Sequence, residues 1–179
     1  VLPAIEYDDE DLDTKVTVSR EPDGTHYLWN STDVVGIFPR EGCQLYFSLK
    51  DGVGSETVTF DGGGWAMKSD AEYFSYLPFI EDFYIDKTQI PMSYIGQKQI
   101  GNATETLGNV DNYLYLACKG VLSADAKSIS FVYKQLGLLH RIIIPVVEGT
   151  YESLILDAGS DCIAYEGTFN GIDIDQKIY

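Results

Sequence analysis

Residues 27–39 read YLWNSTDVVGIFP. Val34, Val35, Ile37 and Phe38 are β-branched or aromatic, the types that fit a pleated, half-buried surface. Pro39 stops the run, because it has no N–H to give to a ladder. Trp29 stands four residues before Asp33, and Gly36 interrupts the apolar residues. The set has two readings, a chemical site or scaffold. We expect scaffold: Trp29 packed into a core, Asp33 anchoring a turn, and Gly36 at a bulge or a close backbone approach.

The same pattern extends in both directions. Residues 15–20 (KVTVSR) alternate with period two, as a half-buried strand does. Residues 21–24 (EPDG) are a turn, with Pro22 presetting φ and Gly24 relaxing it. Further strands are expected over 25–29, 33–38, 43–50, 56–60, 73–78, 113–118, 129–133, 138–147, 151–157 and 161–169, with a cleanly alternating tail at 172–175. Within 43–50, Leu45, Phe47 and Leu49 share a face. Gly-rich turns at 51–54 and 61–64 separate neighbours. Residues 82–108 are the least regular. Short strands at fairly even spacing predict an all-β sandwich or barrel of about seven or more strands. Residues 1–13 (VLPAIEYDDEDLD) read as a flexible acidic lead-in, 14–170 as one β-sandwich domain, and 171–179 as a tail or the start of a linker or second domain. The chain starts at Val1 and not at Met, which suggests a processed or truncated form.

Composition agrees. The 179 residues are 45% hydrophobic and 13% aromatic, with 13 Tyr, a good strand former. Against 12 basic residues stand 28 acidic ones, a formal net charge of −16. Such a surface repels nucleic acid and anionic membranes, whose recognition rests on Lys and Arg. The longest apolar run, 142–147, is far short of the ~20 residues a membrane span needs.

Motif chemistry is sparse. Asp9, Asp11 and Asp13 alternate like the start of a calcium loop, but Thr14 and Arg20 occupy the positions that need Gly and Glu. Asp173 and Asp175 share a strand face and are expected to be solvated. His26 and His140 lack partners at zinc-ligand spacing. Cys43, Cys118 and Cys162 form no disulfide framework and are expected as buried thiols, with one bridge as the alternative. Gly62, Gly63 and Gly64 lack the Lys-Ser/Thr of a phosphate loop. There is no GxSxG. Asn30 and Asn102 head glycosylation sequons. No metal or cofactor is expected. Aromatics are dense between Trp65 and Tyr84. Trp65, Tyr73, Phe79 and Tyr84 are the candidate members of a sugar-binding platform, while Phe74, Tyr76 and Leu77 are expected to fill the core.

In order, these segments resemble the fimbrillin-like surface proteins of Bacteroidetes. Trp29 with residues 33–38 (DVVGIF) is similar to that family's opening "W…D.IGIF". Phe60, Asp61 and Gly62 with Trp65 resemble its next hairpin, and residues 72–79 (EYFSYLPF) its aromatic strand. Ile90, Pro91 and residues 97–99, residues 111–117 (DNYLYLA), 131–145 and 167–169 (GTF) resemble later segments. The likeness covers most of residues 14–170. It implies a transthyretin-like β-sandwich of two mostly antiparallel sheets. It also implies an exported, non-enzymatic fimbrial subunit or adhesin at the cell surface or outer membrane, partnered by other fimbrial subunits or by surface ligands. Members are usually lipidated on an N-terminal Cys and carry a second domain. No Cys precedes Val16, so the expectation is an anchor that lies in a removed leader or is absent. Subunits of the family assemble by exchanging their first strand. The corresponding strand here is Lys15, Val16, Thr17, Val18 and Ser19, with Arg20 as a trypsin-like processing point. A carbohydrate-binding module is the alternative function, and a small hydrolase using His26 or His140 the third.

Overall fold

The computed structural model describes residues 16–62, 67–97, 113–137 and 166–174. Among these residues the protein is all-β, as expected, with twelve strands and only antiparallel ladders. The centre is a six-stranded sheet with the order β11-β8-β6-β3-β4-β5. Its members are β3 (Val34–Pro39), β4 (Leu45–Asp51), β5 (Thr59–Asp61), β6 (Tyr73–Leu77), β8 (Leu116–Lys119) and β11 (Lys134–Gln135). Three two-stranded sheets accompany it. They pair β1 (Thr17–Glu21) with β2 (Gly24–Leu28), β7 (Ile90–Ser93) with β12 (Glu166–Phe169), and β9 (Val121–Leu122) with β10 (Ile129–Ser130).

Period-two geometry gives the central sheet two apolar faces. Val35 and Ile37 on β3, Phe47 on β4, Tyr73 and Leu77 on β6 and Leu116 on β8 join Val16, Val18 and Trp29 in one cluster. Phe38, Phe74, Tyr76 and Ala117 on the same strands join Ile90, Met92 and Phe169 in another. The β1–β2 hairpin thus packs on the first face, and the β7–β12 pair on the second. This explains why residues 34–38 read as a run without a polar side chain: a strand covered on both faces has no polar side. All five residues of β6 are buried for the same reason. Each large side chain so enclosed stabilises the fold by roughly 1.5–3 kcal/mol.

The three expectations for residues 27–39 hold. Trp29 is buried, 5.1 Å from the Phe60 ring and 5.4 Å from the Tyr133 ring. Asp33 closes a turn: its Oδ2 accepts from the Asn30 N–H at 2.7 Å, and its own N–H donates to the Asn30 carbonyl at 3.1 Å. Gly36 is a close approach, with the Tyr76 ring and the Gln44 amide lying where a Cβ would stand. It pairs with Tyr46 on one side and Tyr76 on the other.

Several boundaries differ from the sequence reading. The first strand runs Thr17–Glu21, so Arg20 lies within it, opposite Thr25, and not after it. Residues 129–133 are not one strand. Ile129 and Ser130 pair with β9, Lys134 and Gln135 pair with β8, and between them the chain crosses sheets. Tyr133 sits at the crossing, its hydroxyl 2.6 Å from Ser75 Oγ. The described part of the tail forms a turn and not a strand. Asn170 captures it, its Oδ1 accepting from the Ile172 N–H and its carbonyl from the Asp173 N–H. Of the three cysteines, Cys118 is buried and Cys43 is half-buried, a correction to three buried thiols; both are free. Burial pushes the Cys118 thiol up, which leaves it unreactive. The lead-in 1–13, Lys15, Trp65, Asn102, His140, Cys162, Asp175 and the strands expected at 138–147 and 151–157 lie outside the described residues.

Candidate functional site

Gln44, just before β4, is a buried amide whose side chain is fully engaged. The Tyr76 hydroxyl donates to its Oε1 at 2.6 Å. Its Nε2 donates to the carbonyls of Ile80 at 2.6 Å and Asp82 at 2.8 Å. The Ile80 N–H in turn donates to the Tyr76 hydroxyl at 3.3 Å, and the Gln44 N–H to the Phe83 carbonyl at 3.4 Å. Burial pushes the Tyr76 phenol up to about 12, so it remains a donor at any ordinary pH. These bonds satisfy groups that would otherwise be stranded next to the core, and they fix the segment that leaves β6.

That fixed segment carries rings outward. Phe79 meets Tyr46 edge-on, with centroids 5.4 Å apart and planes at 81°. Phe83 meets Tyr84 at 5.2 Å and 90°. Tyr84 is 81% exposed, Tyr46 55% and Phe83 49%. Tyr46 is uncovered because the second-face core draws on β3, β6 and β8 but not on β4. Asp82 Oδ1 accepts from the Tyr84 N–H at 2.9 Å and sets the turn.

Only part of the platform read from the sequence forms here. Phe79 and Tyr84 stand in two ring pairs, Tyr46–Phe79 and Phe83–Tyr84, both carried by or packed on residues 79–84; these four rings are called the shelf below. Tyr73 does not: it is buried in the first-face core, its hydroxyl accepting from the Lys68 N–H. A neighbour on a β6 strand buried on both faces has no exposed side to offer. Tyr46 was missed, although the signal was present, because the face shared by Leu45, Phe47 and Leu49 sends it the other way.

The first strand has a different setting. Among the described residues β1 pairs only with β2. Val16 and Val18 are nonetheless buried in the first-face cluster. The hairpin is tied to its surroundings by side chains. Tyr27 donates to Gln135 Oε1 at 2.8 Å, and His26 bridges Asp23 at 2.9 Å and Glu56 at 2.7 Å. Hydrogen bonds that the ring donates to Asp23 and Glu56 raise the His26 pKa. Both ring nitrogens are engaged on opposite sides, an arrangement that serves as a clamp. Among the described residues no three of His, Cys, Asp and Glu gather where they could hold a metal ion. A cavity of about 370 Å³ lies at Ile37, Leu45, Phe47 and Tyr73, with Arg40 and Glu72 also lining it. Arg40 Nε donates to Glu72 Oε2 at 2.6 Å, so the two charges answer each other.

Asp33 yields a testable pH dependence. It is fully buried, and its Oδ1 has no hydrogen-bond partner among the described residues. Burial pushes its carboxyl up to about 6, against the opposing bond from Asn30. The folded pKa then exceeds that of the unfolded chain, so the folded protein holds the proton more tightly. Stability contributed by this group is present below about pH 4 and is lost as pH rises to about 6, some 3 kcal/mol in all. Urea unfolding of Asp33→Asn beside the unsubstituted chain isolates the effect. The stability difference is expected to shift toward the variant by about 2–3 kcal/mol between acid and neutral pH. A difference that stays constant across that range contradicts the assignment.

The chain matches no family model, no curated protein and no solved structure. No helix among the described residues is long and apolar enough to cross a membrane.

Proposed function

We propose that the protein is a non-enzymatic subunit or adhesin of a surface fimbria, exported to the cell surface, that assembles by exchange of its first strand. The observation that carries this reading is the seat of β1. The strand hydrogen-bonds to β2 alone among the described residues, yet Val16 and Val18 are 0% and 4% exposed. Removing such a strand uncovers an apolar seat beside Trp29 and Val35. A strand of alternating apolar residues from a second chain fits that seat, with backbone bonds giving affinity and the alternation giving register. The charge of −16 fits a partner other than nucleic acid.

Light scattering on the intact chain and on the chain after limited trypsin tests it. Oligomers are expected only after cleavage at Arg20, with mass spectrometry placing the new terminus at Glu21. A product that has lost residues through Arg20 and stays monomeric contradicts strand exchange.

A further inference from the structure

We infer that the shelf of Tyr46, Phe79, Phe83 and Tyr84 binds an arginine- or lysine-bearing polypeptide segment of a partner. The shelf combines ring faces with negative charge. Residues 79–86 read FIEDFYID, with Glu81, Asp82 and Asp86 among the aromatics and no cation. Glu81 and Asp82 are exposed alongside Phe83 and Tyr84. Hydrogen bonds from Thr88 hold the Asp86 carboxyl below its usual range, so it is ionised at neutral pH. The next residue, Lys87, is half-buried, and its ammonium is engaged by backbone where the chain leaves β3. Its Nζ donates to the carbonyls of Pro39, Arg40 and Gly42 at 3.0, 2.9 and 2.6 Å.

Aromatic faces carry negative quadrupole potential and attract cations lying over them. A guanidinium suits the place best, because it stacks on a ring while its N–H fork reaches a carboxylate. A net charge of −16 draws in a basic segment and turns away anionic ligands, including acidic glycans. A neutral sugar would use the rings but not the charge. The Gln44 and Tyr76 bonds already hold the segment, so binding need not order a loop. The shelf borders the second face of the central sheet and β1 packs on the first, so this site does not depend on strand exchange.

Calorimetric titration of the full chain with a hexa-arginine peptide, and with a neutral hexasaccharide, tests the assignment. One peptide is expected to bind per chain. Tyr84→Ala and Tyr46→Ala are each expected to weaken it about 5- to 30-fold without moving Tm, since both rings are largely exposed. Glu81→Gln is expected to weaken it mainly at low salt. Aromatic variants that bind like the unsubstituted chain would reduce the effect to general acidity and overturn the site. So would failure of the peptide to bind, or Tyr84-dependent binding of the hexasaccharide in its place.

Discussion

Gly36→Ala is expected to lower the stability of the protein by about 3 kcal/mol, and Tm by roughly 6–12 °C. A Cβ at Gly36 would stand 2.5 Å from Tyr76 Cε1 and 2.9 Å from Gln44 Oε1. Neither neighbour has room to yield. Tyr76 is 1% exposed and packs between Phe38 and Phe169, at 6.1 Å from each ring. Gln44 is held by the carbonyls of Ile80 and Asp82. Gly36 is not needed for its backbone freedom; the space above it decides. Denaturant unfolding measures the loss, and a double-mutant cycle tests the cause. In a Tyr76→Leu background the alanine is expected to cost less than half as much. An equal cost in both backgrounds would place the strain elsewhere. Because the same two side chains fix residues 79–84, Gly36→Ala is also expected to weaken hexa-arginine binding, although Gly36 itself is buried.

Lys87→Met is expected to cost about 3 kcal/mol. The ammonium bonds the carbonyls of Pro39, Arg40 and Gly42, where the chain leaves β3. It also lies 5.5 Å from the centre of the Phe38 ring. Burial is the main cause holding its pKa below the ordinary lysine range. Methionine keeps the stem and its packing on apolar surface but takes the donor from three carbonyls at once, the part-buried one of Pro39 among them. Lys87→Arg is expected to recover less than half of the loss, because a planar fork cannot converge on three carbonyls as a compact ammonium does. Full recovery by arginine would show that charge alone matters. The Lys87 carbonyl also accepts from the Gly171 N–H at 2.8 Å, so the link between β3 and the turn after β12 should loosen first. Hydrogen exchange at Gly171 reports that step.

Much of the architecture was legible because it is local. The turn at Pro22 and Asp23, the strand ended at Pro39 and the five-residue β6 follow from residue types and period. The strand expected over residues 129–133 failed for a reason no window contains: β9 and β8 compete for adjacent parts of one segment. The tail likewise alternates in sequence, but the Asn170 side chain offers its backbone a turn instead of a ladder.

The shelf divides in the same way. Phe79, Phe83 and Tyr84 were visible as a dense aromatic stretch, but which rings face water was not. Tyr73 and Tyr84 are similar as residues, and they end at 6% and 81% exposure. The period of a strand says which residues share a face. It does not say how many faces will be covered, because the covering strands come from distant parts of the chain. By itself the sequence determined the all-β character of the described residues, their turns, the chain's acidity and the scaffold role of Trp29, Asp33 and Gly36. Only the tertiary structure decided that β6 is buried on both sides, that Tyr46 joins Phe79, and that Gln44 holds the loop beneath them. Those outcomes rest on contacts such as Tyr76 to Gln44, 32 residues apart, which local propensity cannot encode.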